Sequence, residues 1–157
     1  MNKTIKVMNT FLKNIEVNDK ILQDNNIKNS YLNTLIIEDK NNKLKIILDH
    51  KSGKFEFSGI SIPEKTNEFY SPVLNWLEKY KYFPNEVTEV NFKMIFICKE
   101  TSIILNDIFK IIEYIHLKGK KVIVKWYYNI DDDDIRIEGR HFSNLYSFPF
   151  ELINLNN

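Results

Sequence analysis

The sequence predicts one α/β domain in which helices pack on a mixed β-sheet, and three observations carry this prediction. Two strand-like runs, residues 43–48 and 54–58, flank a short turn at Gly53, as expected for an antiparallel hairpin. A strand-like run at 87–97 precedes a strong helical pattern and a further strand at 121–128, which is the spacing of a crossover between parallel strands. With 43% hydrophobic residues in 157, the chain can bury a sizeable core.

The first part of the chain gives a weaker signal. Met8, Phe11, Leu12 and Ile15 fall at helical spacing, but mostly polar residues follow them. We therefore predict an N-terminal arm or extra helix over residues 1–30 and the α/β domain over residues 31–157.

The elements before residue 86 follow from the positions of glycine and proline. Residues 31–39 resemble a strand, and Pro63 keeps the segment before it extended. Pro72 leaves two alternatives: Ser71 caps a helix that starts at Pro72, or Pro72 kinks a helix that starts earlier. The predicted apolar face of this helix consists of Phe69, Val73, Trp76, Leu77 and Tyr80.

The second half of the chain gives the clearest patterns. Residues 87–97 alternate and then become continuously apolar, which predicts a central strand covered on both faces. A helix over 101–117 follows, and Gly119 ends it among lysines that suit the C-terminal end of a helix. A short helix at 133–146 and a strand at 150–153 complete the domain. The apolar stripe of the long helix consists of Ile104, Ile108, Ile111, Ile112 and Ile115.

Composition excludes several classes of function. The 22 basic and 21 acidic side chains nearly cancel, so no strong field attracts nucleic acid or an anionic membrane. The one cysteine, Cys98, can form no internal disulfide, which indicates a reducing compartment. No apolar run reaches the length of about 20 residues that a membrane helix needs, and the N-terminus lacks the pattern of a signal peptide. We expect a cytoplasmic protein.

The residues offer no recognisable catalytic, metal or cofactor set. His50, His116 and His141 lie in different elements without ligand spacing, and the four glycines form no phosphate loop. Cys98 has no evident base partner and reads as a small core residue. The acidic run 131–134 is best explained as an exposed loop whose last acids start a helix, although a recognition role stays open. Most aromatic residues should lie in the core, and exposed ones would mark a docking surface.

Thr101 and Ser102 stand between a strand and the strongest helix. A hydroxyl in this place ordinarily caps the helix by accepting a backbone N–H. The same helix end also favours a phosphate, and phosphorylation there adds about two negative charges that can create or block a partner surface. Thr101 and Ser102 therefore have two interpretations, a helix cap and a phosphorylation site.

Several separated motifs together resemble the SiaC family of bacterial regulatory phosphoproteins over residues 35–154. They are GISIPEKTNEFYSPVLNWLEKY, WYYNIDDDD and FPFELI. The resemblance implies a STAS-like α/β fold and no catalysis or cofactor. It also implies partner switching by a Ser/Thr kinase, a PP2C-type phosphatase and a diguanylate cyclase, with output in cyclic-di-GMP signalling and biofilm formation. The matching residues are Gly59, Ser61, Pro63, Glu64, Phe69, Tyr70, Trp76, Asp107, Trp126, Tyr127, Tyr128, Pro149, Phe150 and Glu151.

The chain departs from the family pattern at the phosphorylation site. Ungapped counting places Lys99 where the family carries its phosphothreonine, and no Ser/Thr kinase can modify lysine. Thr101 or Ser102 could serve in its place, the switch could be lost to leave a constitutive binder, or Lys99 could suit a different partner. The candidate interface consists of Lys99, Glu100, Thr101, Ser102, Ile103 and Asn106.

The sequence thus predicts a non-catalytic signalling protein that binds and regulates an effector. The alternative is a constitutive protein-binding module or a small-ligand module of the STAS-like type that binds a nucleotide. No phosphate cradle is visible to support nucleotide binding, and no nucleophile–base pair supports an enzyme.

Overall fold

The computed structural model describes residues 32–41 and 43–156, so the predicted arm over residues 1–30 lies outside the described residues. The described part alternates strands and helices in the predicted order. The strands are β1 (Leu35–Glu38), β2 (Leu44–Asp49), β3 (Lys54–Ser61), β4 (Val87–Ile97), β5 (Lys121–Tyr128) and β6 (Phe150–Asn154). The helices are α1 (Thr66–Tyr80), α2 (Lys99–Leu117) and α3 (Asp133–Leu145).

The strands form one sheet whose spatial order equals the chain order, β1 to β6. Strands β1, β2 and β3 pair antiparallel, whereas β3, β4, β5 and β6 pair parallel. A helix connects each pair of consecutive parallel strands, because the chain must return to the end of the sheet at which the previous strand began. The predicted hairpin, parallel crossover and mixed sheet are confirmed.

All three helices pack on the same face of the sheet. Phe57, Phe92 and Trp126 are in register across β3, β4 and β5 and therefore point to one side. On that side Phe92 contacts Phe109 of α2, with ring centroids 5.1 Å apart, and Trp126 contacts Phe142 of α3. Phe57, Phe92 and Trp126 are almost completely buried, so the core lies between the sheet and the helices.

The opposite face carries cross-strand ion pairs instead of helices in the described part of the chain. Lys45 pairs with Glu38, Lys93 with Glu56 and Lys125 with Glu89, each within 2.8 Å. The prediction that residues 87–97 are covered on both faces is wrong, because Ile95 and Phe96 are exposed to solvent. The apolar run at the end of β4 therefore reflects an exposed apolar end rather than a second layer.

Helix α1 decides between the two alternatives for Pro72 and corrects the prediction for Phe69. It begins at Thr66, so Ser71 does not cap a helix that starts at Pro72, and Pro72 lies inside the helix. Pro72 is exposed, which leaves water access to the backbone carbonyl that a proline cannot pair. Tyr70, rather than the half-buried Phe69, belongs to the buried face.

Helix α3 begins as the acidic run predicts. The side chain of Asp132 accepts a hydrogen bond from the N–H of Ile135, and two more acids occupy the first turn. Gly139 of this helix packs so closely on Trp126 that an added Cβ would lie 2.5 Å from the indole ring. None of the helices in the described ranges is long and apolar enough to cross a membrane.

Candidate functional site

The site at the start of α2 lies where parallel strands β3 and β4 end. Ser61, the last residue of β3, pairs with Ile97 of β4, and the N–H of Cys98 donates to the carbonyl oxygen of Ser61 at 3.0 Å. Helix α2 then begins at Lys99 with Cys98 as its N-cap residue. The start of α2 is thereby attached to the C-terminal end of β3.

The prediction that Thr101 or Ser102 caps this helix is wrong. The helix starts at Lys99 rather than at Thr101, and no side chain caps it. Thr101 and Ser102 therefore lie within the first turn. Glu100 suits the positive end of the helix dipole, but the lysine in its first position does not.

Thr101 joins a buried cluster of hydroxyl groups. Its Oγ1 lies 2.8 Å from Ser61 Oγ, which in turn lies 2.8 Å from the hydroxyl oxygen of Tyr70. Cys98 Sγ is 3.2 Å from the same Thr101 oxygen. Ser61, Tyr70 and Thr101 have no solvent exposure. Because an unpaired buried hydroxyl costs free energy, these three groups depend on one another.

Burial also acts on the ionisation of this cluster. It raises the pKa of Tyr70 to about 12, against which the hydrogen bond to Ser61 acts in the lowering direction. Tyr70 therefore remains a neutral hydrogen-bond partner at any physiological pH. The cluster carries no charge that would drive acid–base chemistry.

Gly59 sets the position of Ser61. Its φ is +103°, and an added Cβ would lie 1.9 Å from the carbonyl oxygen of Lys43. The pairing register of β3 with β4 shifts between Gly59 and Ile60, and the N–H of Ile60 donates to the same Lys43 oxygen at 2.8 Å. Glycine is needed here because a side chain fits neither the backbone conformation nor the space.

Ser102 connects α2 to α3. It is half-buried, and its hydroxyl donates a hydrogen bond to the carboxylate of Glu138. Asn106, one turn further along α2, accepts from the hydroxyl of Tyr146 through both its carbonyl oxygen and its side-chain oxygen. Both predicted interface residues are therefore already engaged within the chain.

The remaining interface candidates lie at the surface. Lys99 and Glu100 are exposed, and neither forms an ion pair with any described residue. Ile103, four residues after Lys99 and hence on the same helix face, is 60% exposed. We call Lys99, Glu100 and Ile103 the α2 N-terminal surface. These three side chains are the part of the candidate interface that remains open to solvent.

The family motif residues divide between this site and the core. Ser61 and Tyr70 belong to the hydroxyl cluster, whereas Trp76 and Trp126 are buried and donate their indole N–H groups to backbone oxygens. Asp107 is exposed and pairs with Lys110. Phe69 is half-buried and its ring contacts that of Tyr70, with centroids 5.2 Å apart. The others are half-buried or exposed: Pro63, Glu64, Tyr127, Tyr128, Pro149, Phe150 and Glu151.

Sequence reasoning missed the cluster, although one signal pointed to it. Phe55, Phe57, Gly59 and Ser61 alternate along β3 and so share a face. That alternation predicts that the serine points inward with the phenylalanines. In the described ranges no group of three or more His, Cys, Asp or Glu side chains could hold a metal ion.

Comparison with known proteins agrees with the family that the sequence motifs predicted. The sequence profile of the SiaC family of regulatory phosphoproteins matches residues 37–155. This chain belongs to that family. An uncharacterized protein of Pseudomonas aeruginosa strain UCBPP-PA14 is 23% identical over 104 residues, which are 66% of this chain and 82% of the relative. As a member of a family of regulatory phosphoproteins, the chain is a regulator and not an enzyme.

Solved structures of SiaC share the fold. SiaC of Pseudomonas aeruginosa superposes with a TM-score of 0.70 at 22% identity, covering 78% of this chain and 98% of SiaC. SiaC is also known in complex with the diguanylate cyclase SiaD, which it activates; that SiaC-containing structure matches at a TM-score of 0.69 and 23% identity, covering 75% of this chain and 97% of the matched chain. The predicted STAS-like α/β fold is confirmed.

Proposed function

We propose that this chain is a cytoplasmic regulator that binds a diguanylate cyclase through its α2 N-terminal surface. The relative SiaC activates the diguanylate cyclase SiaD, and the same fold supports the same type of partner here. The observation that carries the proposal is the exposed pair of Lys99 and Ile103 on a helix end that no side chain caps. Cyclic-di-GMP signalling and biofilm formation are the expected output.

We propose Ser102 as the phosphorylation site of this chain. Lys99 offers no hydroxyl, and Thr101 is fully buried with its oxygen bonded to Ser61. Ser102 is half-buried and bonded to Glu138, so a phosphate there would face a carboxylate. Like charges at that distance repel, and the contact between α2 and α3 would loosen. A Ser/Thr kinase and a PP2C-type phosphatase are the enzymes expected to act on it.

Binding to a diguanylate cyclase of the SiaD type tests the interface. Calorimetry should give tight binding for the unmodified chain and at least about tenfold weaker binding for Lys99→Glu and for Ile103→Asp. Ile137→Asp is the matched control, because Ile137 is equally exposed but lies on α3. Equal binding by all four proteins would remove the α2 N-terminal surface from the interface.

Incubation with a Ser/Thr kinase that phosphorylates a standard SiaC-family member tests the switch. Intact-mass measurement should show one added phosphate that is lost in Ser102→Ala and retained in Thr101→Ser. A chain that gains no phosphate, under conditions that modify a standard family member, is a constitutive binder. Calorimetry with ATP, GTP and cyclic-di-GMP tests the nucleotide-binding alternative. That alternative requires measurable heat of binding, whereas a phosphorylated switch and a constitutive binder do not.

A further inference from the structure

A cleft at the same end of the sheet lies between the β1–β2 turn and the β3–α1 loop. It encloses about 360 Å³. Ile62, Pro63 and Phe69 supply its apolar lining, and Ile62 is 56% exposed in spite of its size. A bulky aliphatic side chain that a cleft leaves in water favours an apolar occupant.

The walls of the cleft are held in place by the chain itself. The carboxylate of Asp39 accepts the N–H groups of Lys43 and Leu44, at 2.6 and 3.0 Å, which secures the β1–β2 turn. On the other side the hydroxyl of Thr66 donates to the carbonyl oxygen of Pro63. An occupant therefore meets two secured walls and pays little for ordering them.

Charge defines the occupant further. Four carboxylates and two lysines line the cleft. Glu68 pairs with Lys65, and Glu38 pairs with Lys45, but Glu64 forms no ion pair with a described residue. The rim thus presents excess negative charge around an apolar floor. The complementary ligand carries positive charge on either side of an apolar side chain.

The cleft borders the α2 N-terminal surface. Ile62 directly follows Ser61, whose carbonyl oxygen accepts the N–H of Cys98, and Cys98 precedes Lys99. A protein seated on Lys99 and Ile103 can therefore extend into the cleft without leaving the surface.

We propose that this cleft docks an extended segment of the protein partner, with one aliphatic side chain against Ile62 and flanking lysine or arginine against Glu64 and its neighbouring carboxylates. The inference rests on the proposed function for the identity of the partner. The chemistry of the docked segment follows from the cleft itself.

Matched synthetic peptides test the cleft without the cyclase. The probe is a short peptide with a central leucine flanked by lysines; the comparison peptides replace the lysines by glutamate or the leucine by serine. Amide chemical-shift mapping by NMR on the full chain should place only the first peptide at Ile62, Glu64 and Phe69. Ile62→Ser and Glu64→Lys should each weaken its binding about tenfold. Ile130→Ser and Asp131→Lys should not, since Ile130 is 57% exposed and both residues lie in the acidic loop at the other edge of the sheet.

Equal binding of the three peptides, no binding, or unchanged binding in the cleft variants would overturn the proposal. Binding of the cyclase then distinguishes the failure of the docking proposal from the failure of the proposed function. If the cleft variants bind the cyclase normally while Lys99→Glu does not, the docking proposal fails and the proposed function stands. If the peptide occupies the cleft but the cyclase binds no form of the chain, the cleft stands and the proposed function fails.

Discussion

Helices α2 and α3 both begin after a parallel strand, but their first turns are built differently. Helix α3 has the side-chain cap Asp132 and two further acids, Asp133 and Asp134, which suit the helix dipole. Helix α2 has no side-chain cap and begins with Lys99, whose charge opposes the dipole. Of its two first-turn hydroxyl residues, Thr101 is buried in the core and Ser102 donates to Glu138 of α3.

The two helix ends differ in whether their own side chains complete them. The polar groups of α3 close its own end, so that end is complete without a partner. In α2 the hydroxyl of Thr101 secures the helix to β3 and α1 from beneath, and the outer surface keeps an unpaired cation and an exposed isoleucine. A helix selected for stability alone would carry an acid or a capping hydroxyl in that place. The arrangement of α2 is consistent with the binding surface that we propose for it.

The strongest way to break the comparison is to place a charge at Thr101. We expect Thr101→Asp to lower the free energy of unfolding by about 3 kcal/mol or more, because the carboxylate is buried without a cation. Urea denaturation measures the effect, and Thr101→Ser, which keeps the hydroxyl, is the control. A loss below about 1 kcal/mol would contradict the inward orientation of Thr101.

Tyr70→Phe removes the hydroxyl at the other end of the cluster. We expect a loss of about 1–2 kcal/mol at neutral pH, since Ser61 keeps only its bond to Thr101. The pKa of Tyr70 rises from 10.0 to about 12 on folding. Its contribution is therefore complete below pH 10 and is lost as pH rises from 10 through 12.

Unfolding free energy measured against pH checks the second part of this prediction. The wild-type chain should lose stability more steeply above pH 10 than Tyr70→Phe does, because burial holds the proton of Tyr70 only in the folded state. Parallel curves for the two proteins would show that Tyr70 is not shielded from water.

Asp132→Ala tests the capped end. The substitution removes the acceptor for the N–H of Ile135 and should cost about 1 kcal/mol. Asp131→Ala serves as its control, because Asp131 precedes the cap and forms no hydrogen bond with a described residue. Thermal denaturation should separate the two variants, and an equal loss in both would mean that general charge rather than the cap stabilises α3.

Lys99→Glu sharpens the comparison at the smallest scale. The acid should stabilise the fold by a few tenths of a kcal/mol, about 0.3 at low salt, since it suits the dipole that the lysine opposes. Added salt should reduce the gain because the group is exposed. The same variant should bind the cyclase less well. A gain in stability with unchanged cyclase binding would show that Lys99 contributes neither to the stability of the fold nor to the interface.

The repeating patterns of the chain anticipated the elements well where they were strong. The stripe of isoleucines in α2 and the limits of β4 and β5 agree with the prediction, because burial of one face imposes a period on the sequence. The sequence left the start of α1 open between Pro72 and an earlier residue, because proline often marks a helix boundary, although an exposed Pro72 can remain inside a helix. The cap of α2 was missed because a hydroxyl near a helix start can point either way.

The sequence by itself determined the order of the elements, the hairpin, the parallel crossover and the family, since each depends on residues near one another in the chain or on their repeat. Only the tertiary structure decided the fate of the hydroxyls. Ser61 lies 9 residues from Tyr70 and 40 from Thr101, and they meet only when β3, α1 and α2 pack together. The physical reason is desolvation: a buried hydroxyl takes whichever partner packing supplies, and local sequence does not specify that partner.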